Sequence, residues 1–120
     1  MRDFRKLHIW RQAHEICLLI YKETQLFPIE EKYGITSQLR RAAVSVPNNI
    51  AEGCGTIGEK EFARYLKIAY SSASEVDYLL LLCYDLGFLS KEKHELLFSN
   101  LTSLKKQIFS FIIKLNAERI

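Results

Sequence analysis

The chain has 120 residues, of which 48% are hydrophobic and 26% charged, which is the size and composition of one globular domain. Lysine and arginine exceed aspartate and glutamate by 17 to 14, a mild excess that permits an anionic partner without requiring one. The three cysteines include no Cys-x-x-Cys pair, so neither a disulfide framework nor a zinc site is predicted. Because no apolar run reaches the length of a signal peptide or a bilayer span, we expect a cytoplasmic protein without a membrane segment.

The first half of the chain predicts two helices. Between Leu7 and Phe27, apolar residues recur at steps of four and three, the period of one helical face. Pro28 should end this helix, because a proline loses a backbone donor and clashes with the preceding turn. The second helix should continue through Pro47 with a kink and end at Gly53. The two apolar stripes are Ile9, Ala13, Ile16 and Ile20, then Ile35, Leu39, Ala42, Val46 and Ile50.

The second half predicts two longer helices with the same alternation. Thr56 and Glu59 have the spacing of a capping box at the start of helix three, and Gly87 suits its C-terminal cap. Ser90 is the expected cap of helix four. The stripes are Phe62, Leu66, Ala69, Ala73, Val76, Leu80 and Cys83, then Leu97, Leu101, Leu104, Ile108, Phe111 and Leu115.

Four amphipathic helices joined by short connections bury their apolar faces most simply as an antiparallel bundle. The sequence therefore predicts an all-α fold, an up-down-up-down four-helix bundle with helix two kinked at its proline, in a single domain over residues 1–120.

Three sequence motifs that could indicate a nucleotide, metal or ribonuclease site are not supported by the residues around them. The segment from Gly53 to Gly58 has the spacing Gly-x-Gly-x-x-Gly, but a helix precedes it where a dinucleotide site needs a strand, so we expect an interhelical turn. None of the histidines belongs to a Glu-x-x-His pair, so no metal or cofactor is predicted. Arg2 and His8 have a spacing seen in some helical ribonucleases, but we expect solvent-exposed side chains in a frayed segment.

Two sets of surface residues are candidates for binding. Lys60, Arg64 and Lys67 share a face of helix three, and Arg40 and Arg41 lie on the helix before it. These five could bind RNA phosphates, although such a run is often only a solvated face, and Arg40 or Arg41 could instead pair with Glu75.

The second candidate set is a surplus of apolar residues beside or opposite the core stripes. A solitary bundle would expose several of them, which predicts self-association or a stable partner, whereas a wider core stripe would bury them. The candidate interface residues are Tyr78, Leu79, Leu81, Leu82, Leu18, Leu19, Phe109 and Ile113.

Residues 38–53, QLRRAAVSVPNNIAEG, resemble the signature of the 23S rRNA intervening-sequence protein family. Further matches are LHIW at 7–10, Phe27-Pro28, Tyr33-Gly34, E-F-x-R-Y-L-x-I-A at 61–69 and DLGFL at 85–89. The resemblance implies a bacterial four-helix bundle with no established enzymatic activity, of a kind that forms homopentameric rings. It also implies a relation to the accessory variability determinant of diversity-generating retroelements, a basic pentamer that binds RNA and a reverse transcriptase.

The leading functional hypothesis is therefore a non-enzymatic homo-oligomeric scaffold that contacts RNA through its basic helix faces. The alternatives are a subunit that binds only proteins and, third, a ribonuclease.

Overall fold

The protein is described here by a computed structural model that covers residues 2–118, with side chains described through residue 117. Four α-helices and two short 3-10 turns form this part of the chain, and it contains no strand. The helices are α1 (His8–Thr24), α2 (Ile35–Cys54), α3 (Glu59–Asp85) and α4 (Lys91–Glu118), and the turns are Phe4–Lys6 and Ile29–Glu31.

Each helix packs against its neighbours along the chain, and α1 also packs against α4, which closes the bundle. The connections at 55–58 and 86–90 are too short for anything but antiparallel packing of α2 on α3 and of α3 on α4. The resulting rod measures 48 × 22 × 20 Å. The predicted all-α bundle is confirmed, and of the predicted stripe residues only Ile35 and Phe111 are half-buried, all the others being buried.

Helix α1 ends at Thr24, three residues before the predicted end at Phe27. The buried Thr24 hydroxyl donates to the Ile20 carbonyl at 2.7 Å and also lies 3.2 Å from the Tyr21 carbonyl, one of the last four carbonyls of the helix, which lack an intrahelical partner. Pro28 then begins the 3-10 turn that leads towards α2. Helix α1 thus ends at Thr24, with the threonine hydroxyl bonded to its last turn, four residues before Pro28.

Helix α2 continues through Pro47, as predicted, and extends to Cys54. The kink at Pro47 stays a prediction. Gly53 was expected to end the helix but lies within it, buried against α3. A Cβ built on Gly53 would lie 2.9 Å from the Cβ of Tyr65 and 3.0 Å from Cδ1 of Phe62, so this glycine serves the close approach of α2 to α3.

Two of the three predicted caps are confirmed. Gly87 has a φ of 82°, and the N–H groups of Gly87 and Phe88 bond the carbonyls of Tyr84 and Cys83, which is a Schellman motif at the end of α3. The Ser90 hydroxyl accepts the Lys93 N–H at 3.1 Å at the start of α4.

The predicted capping box at α3 is wrong. The Thr56 hydroxyl donates to the Gly53 carbonyl at 2.6 Å, so it closes the end of α2 instead of opening α3. Glu59 is held by Arg2, and the residue before α3 is Gly58, which makes no side-chain cap.

Candidate interaction surfaces

The predicted basic residues of α3 lie on the outside of the bundle. Lys60, Arg64 and Lys67 are all exposed. Arg64 is the most constrained of the three: its Nε is 3.2 Å from a Glu61 carboxylate oxygen, and its guanidinium lies 4.6 Å from the centre of the Tyr65 ring. The hydrogen bond that Arg64 donates to the Glu61 carboxylate raises the pKa of Arg64, so this side chain keeps its charge.

Arg40 does not belong to this surface. Its Nε donates to the Thr24 hydroxyl at 2.8 Å, and its guanidinium stacks 4.6 Å from the centre of the Tyr21 ring. The side chain is half-buried between α1 and α2. Its part in the predicted RNA contact stays a prediction, and the guanidinium already has these structural partners on α1.

Arg41 is exposed but lies away from the lysines of α3. The hydroxyls of Ser45 and Ser72 are 2.7 Å apart, which fixes the register of the antiparallel helices α2 and α3. Arg41 and Glu75 therefore line one hollow of 670 Å³, about 12 Å of helix axis from Lys67. Among the described side chains, neither Arg40 nor Arg41 forms the predicted ion pair with Glu75.

The apolar surplus divides into buried and exposed residues. Leu79 is wrong as a candidate interface residue, because it is 3% exposed and belongs to the core. Leu19 and Leu82 are half-buried. The remaining candidates are Leu18, Tyr78, Leu81, Phe109 and Ile113, each of which exposes 45–60% of its surface. The alternative of a wider core stripe thus explains only part of the surplus.

Leu81, Phe109 and Ile113 lie on one side of the molecule, between α3 and α4. Leu81 is one turn after Asp77, whose carboxylate is 3.9 Å from the ammonium group of Lys105 on α4. Phe109 and Ile113 are one turn apart on α4, and the Phe109 ring lies 6.1 Å from that of Tyr70 on α3. We call Leu81, Phe98, Phe109 and Ile113 the α3/α4 apolar face; all four are 45–54% exposed. Phe98 was missed by the sequence analysis, although its spacing to Phe109 and Ile113 fits one helical face.

The segment before α1 is held in place instead of frayed. Arg2 donates two hydrogen bonds to the Glu59 carboxylate, and its backbone N–H bonds the Cys54 carbonyl at 3.1 Å. The Arg2 guanidinium also lies 4.3 Å from the centre of the Phe62 ring. His8 is exposed at the start of α1. The arginine of the ribonuclease-like pair is therefore engaged in a structural contact.

Within residues 2–118 the structure shows no group of three His, Cys, Asp or Glu side chains that could hold a metal ion. None of the described helices combines the length and apolar character needed to cross a bilayer. The Gly-x-Gly-x-x-Gly segment starts inside α2 and ends at the residue before α3, so it joins two helices.

Comparison with known proteins shows where this bundle belongs. A family model described as 23S rRNA-intervening sequence protein matches residues 5–110. The chain belongs to this family. The residues that match the 23S rRNA-intervening sequence protein family include α1, α2, α3, the three connections and most of α4.

One solved structure has the same fold as this family member. It is the crystal structure of a protein with unknown function from the S23 ribosomal protein family of Bacteroides thetaiotaomicron VPI-5482. Its TM-score is 0.80 at 23% sequence identity, over 87% of this chain and 97% of that one. No curated protein matches the sequence.

Proposed function

We propose that the protein is a non-enzymatic scaffold subunit, which assembles with copies of itself and contacts RNA through the outer face of α3. The observation that carries the RNA contact is the exposure of Lys60, Arg64 and Lys67 on one face of that helix. Arg41 adds a separate positive charge further along the bundle. The family is named for an intervening sequence of 23S rRNA, which favours RNA over other polyanions.

Assembly multiplies this modest charge. The chain carries a formal net charge of +3, too little for strong binding to RNA by one copy. A ring repeats the basic face in every subunit, so one RNA engages several faces and the weak contacts add. The homopentamer implied by the family resemblance is the assembly we propose.

The RNA contact is tested by fluorescence anisotropy with a structured RNA hairpin at several salt concentrations. Because the contact is electrostatic, affinity should fall steeply as salt rises. Replacing Lys60, Arg64 and Lys67 together by Gln should weaken binding at least tenfold and reduce the salt slope by roughly 2.

The matched control removes the same charge elsewhere, by Gln replacements at the exposed Lys22, Lys32 and Lys91. An equal loss of affinity in this control would mean that only overall charge matters. Absence of binding even at low salt would refute the RNA contact.

A subunit that binds only proteins is the second candidate, favoured by the exposed α3/α4 apolar face. It predicts that the variant lacking Lys60, Arg64 and Lys67 still assembles and still captures its protein partner. A relation to the accessory variability determinant would make a reverse transcriptase the partner to test first. A ribonuclease ranks third: cleavage by the parent protein that is lost in His8→Ala would be needed to support it.

A further inference from the structure

A hollow between the start of α1 and the second half of α4 is a separate candidate site. It has a volume of 430 Å³, and Leu7 and His8 line it from one side, with Lys106, Phe111 and Lys114 from α4 on the other. Small ligands and single nucleotides occupy protein hollows of roughly 300–1,000 Å³. Because α1 and α3 each pack between α2 and α4, this hollow lies on a different side of the bundle from the basic face of α3.

The two lysines at the hollow differ from the other lysines of α4. Lys91, Lys93 and Lys105 each have a carboxylate within 4 Å, from Glu95, Glu23 and Asp77 respectively. No described side chain forms an ion pair with Lys106 or Lys114, and no carboxylate is among the described residues that line the hollow. Among the described side chains, the two lysines therefore bring positive charge to the rim of the hollow without a carboxylate partner.

The floor of the hollow is apolar. Phe111 and Leu7 are half-buried, and Ile9 beneath them is buried. The Phe111 ring meets that of Phe62 edge to face, with ring centres 5.3 Å apart, which fixes its orientation. A ligand that suits both parts of the hollow combines a flat apolar group with negative charge at its edges.

We propose that this hollow binds an unpaired nucleotide of single-stranded RNA. The base packs on Leu7 and Phe111, and the phosphates on either side of it contact Lys106 and Lys114. The two lysines are eight positions apart on α4, about 12 Å along the helix axis, and their long, flexible side chains can converge on the phosphates that flank one nucleotide. His8, exposed at the rim, offers a hydrogen bond to the sugar or a phosphate. Stacking on side chains combined with backbone charge is how proteins hold single strands without reading their sequence.

The proposal rests on the RNA role proposed above, but it assigns a different face and a different form of RNA. Paired bases are stacked inside a duplex and do not reach a hollow between two helices. The basic face of α3 lies on the outer surface of the bundle, so the backbone of a duplex can reach it. A structured hairpin and an unpaired strand therefore report on the two faces separately.

The experiment is fluorescence anisotropy of labelled single-stranded oligouridylate with the full chain. We expect Lys106→Gln with Lys114→Gln to weaken binding about tenfold and to reduce the salt slope by about 1.4, or 0.7 for each lost phosphate contact. The matched control, Lys60→Gln with Lys67→Gln, removes equal charge and should leave this binding within about twofold of the parent. Phe111→Leu should weaken binding about fivefold or more and leave the salt slope unchanged, because it removes an aromatic ring and no charge.

Each result has one meaning. A loss only in the Lys60/Lys67 variant overturns the hollow and leaves the α3 contact standing. Equal losses in the Lys106/Lys114 and Lys60/Lys67 variants overturn the hollow and mean that oligouridylate binding follows overall charge, so that the hairpin experiment alone decides the α3 contact. If the Lys106/Lys114 variant loses oligouridylate binding, and the replacement of Lys60, Arg64 and Lys67 does not change hairpin binding, the hollow is supported and the α3 contact is overturned. No binding of either RNA refutes both. Both lysines are exposed, so their replacement does not depend on refolding of the core.

Discussion

Arg2 and Glu59 are 57 residues apart in sequence, and the guanidinium of one donates two hydrogen bonds, of 3.0 and 2.9 Å, to the carboxylate of the other. The pair fastens the segment before α1 to the first residue of α3. Such a two-bonded geometry is the favourable form of an arginine–carboxylate contact. The N-terminal residues thereby belong to the packed structure.

This pair should make stability depend on pH in the acid range. The hydrogen bond from Arg2 lowers the pKa of Glu59 below its ordinary value of 4.5. A carboxyl whose pKa is lowered by folding stabilises the protein above the ordinary value, and loses that contribution as the pH falls through the lowered one. Because the two side chains remain 34% and 41% exposed, solvent screening limits the contribution to about 0.5–1 kcal/mol.

Glu59→Gln should therefore lower the free energy of unfolding at neutral pH, with the difference from the parent shrinking below pH 4.5. Urea unfolding followed by circular dichroism at several pH values measures both. Glu30→Gln, in the exposed connection between α1 and α2, is the control and should show no such trend. A parallel offset at every pH would contradict the assignment to Glu59.

Gly53→Ala should destabilise the bundle although alanine is the better helix former. The added Cβ would meet Tyr65 Cβ at 2.9 Å, and overpacking of this kind costs about 1–3 kcal/mol. The gain in helix propensity is about 1 kcal/mol, so we expect a net loss of about 1 kcal/mol. Gly55→Ala is the matched control: its nearest neighbour would be the Glu52 carbonyl at an ordinary 3.5 Å. Thermal unfolding should separate the two variants, and equal stability would refute the close approach.

Leu79→Ala and Leu81→Ala should differ sharply despite the similar sequence around them. Leu79 is 3% exposed and Leu81 is 45% exposed. Truncating the buried leucine should cost about 2–4 kcal/mol, whereas the exposed one should cost less than about 1. Chemical denaturation checks this when both variants also carry Phe109→Glu and Ile113→Glu, so that assembly on the α3/α4 apolar face does not bury Leu81. A comparable loss of stability in both variants would contradict the burial of Leu79 and the exposure of Leu81 on α3.

The α3/α4 apolar face should control assembly. Phe109→Glu with Ile113→Glu places two charges on this face and should shift light scattering from a pentameric mass to that of the 14.0 kDa monomer. Ile57→Glu is the control, because Ile57 is equally apolar and 90% exposed, in the turn between α2 and α3. A monomeric parent at micromolar concentration would exclude self-association. An unaffected double variant would move the interface to another face.

Cys83 should resist alkylation in the native state. Burial raises its pKa to about 11, so at pH 8 only about one thiol in a thousand is the reactive thiolate. Burial also raises the pKa of Cys17 and Cys54. Mass spectrometry after iodoacetamide treatment should show that all three thiols are alkylated quickly in urea. In the native protein, without urea, each thiol should be alkylated much more slowly. Rapid native labelling of Cys83 would place it outside the core.

The spacing of apolar residues was sufficient to predict the fold, because burial on one helical face repeats with the helix period. The stripe on α3, for example, follows from the steps between Phe62 and Cys83 alone. Local hydrogen-bonding chemistry likewise gave the caps at Gly87 and Ser90. These features depend on residues that are only a few positions apart, so the amino-acid sequence alone is enough to predict them.

The surfaces were decided by the tertiary structure. Whether Leu79 or Leu81 is buried depends on the rotation of α3 against its neighbours, and the period of one helix does not specify that rotation beyond its central stripe. The partners of Arg40 on α1 depend on the register between two helices. Arg2, which was expected to lie in a frayed segment because it is near the N-terminus, is instead tied to Glu59, because folding brings distant parts of the chain together. The sequence by itself determined which faces turn inward, and the packing of the helices decided which of the outer charges and apolar groups remain free to bind.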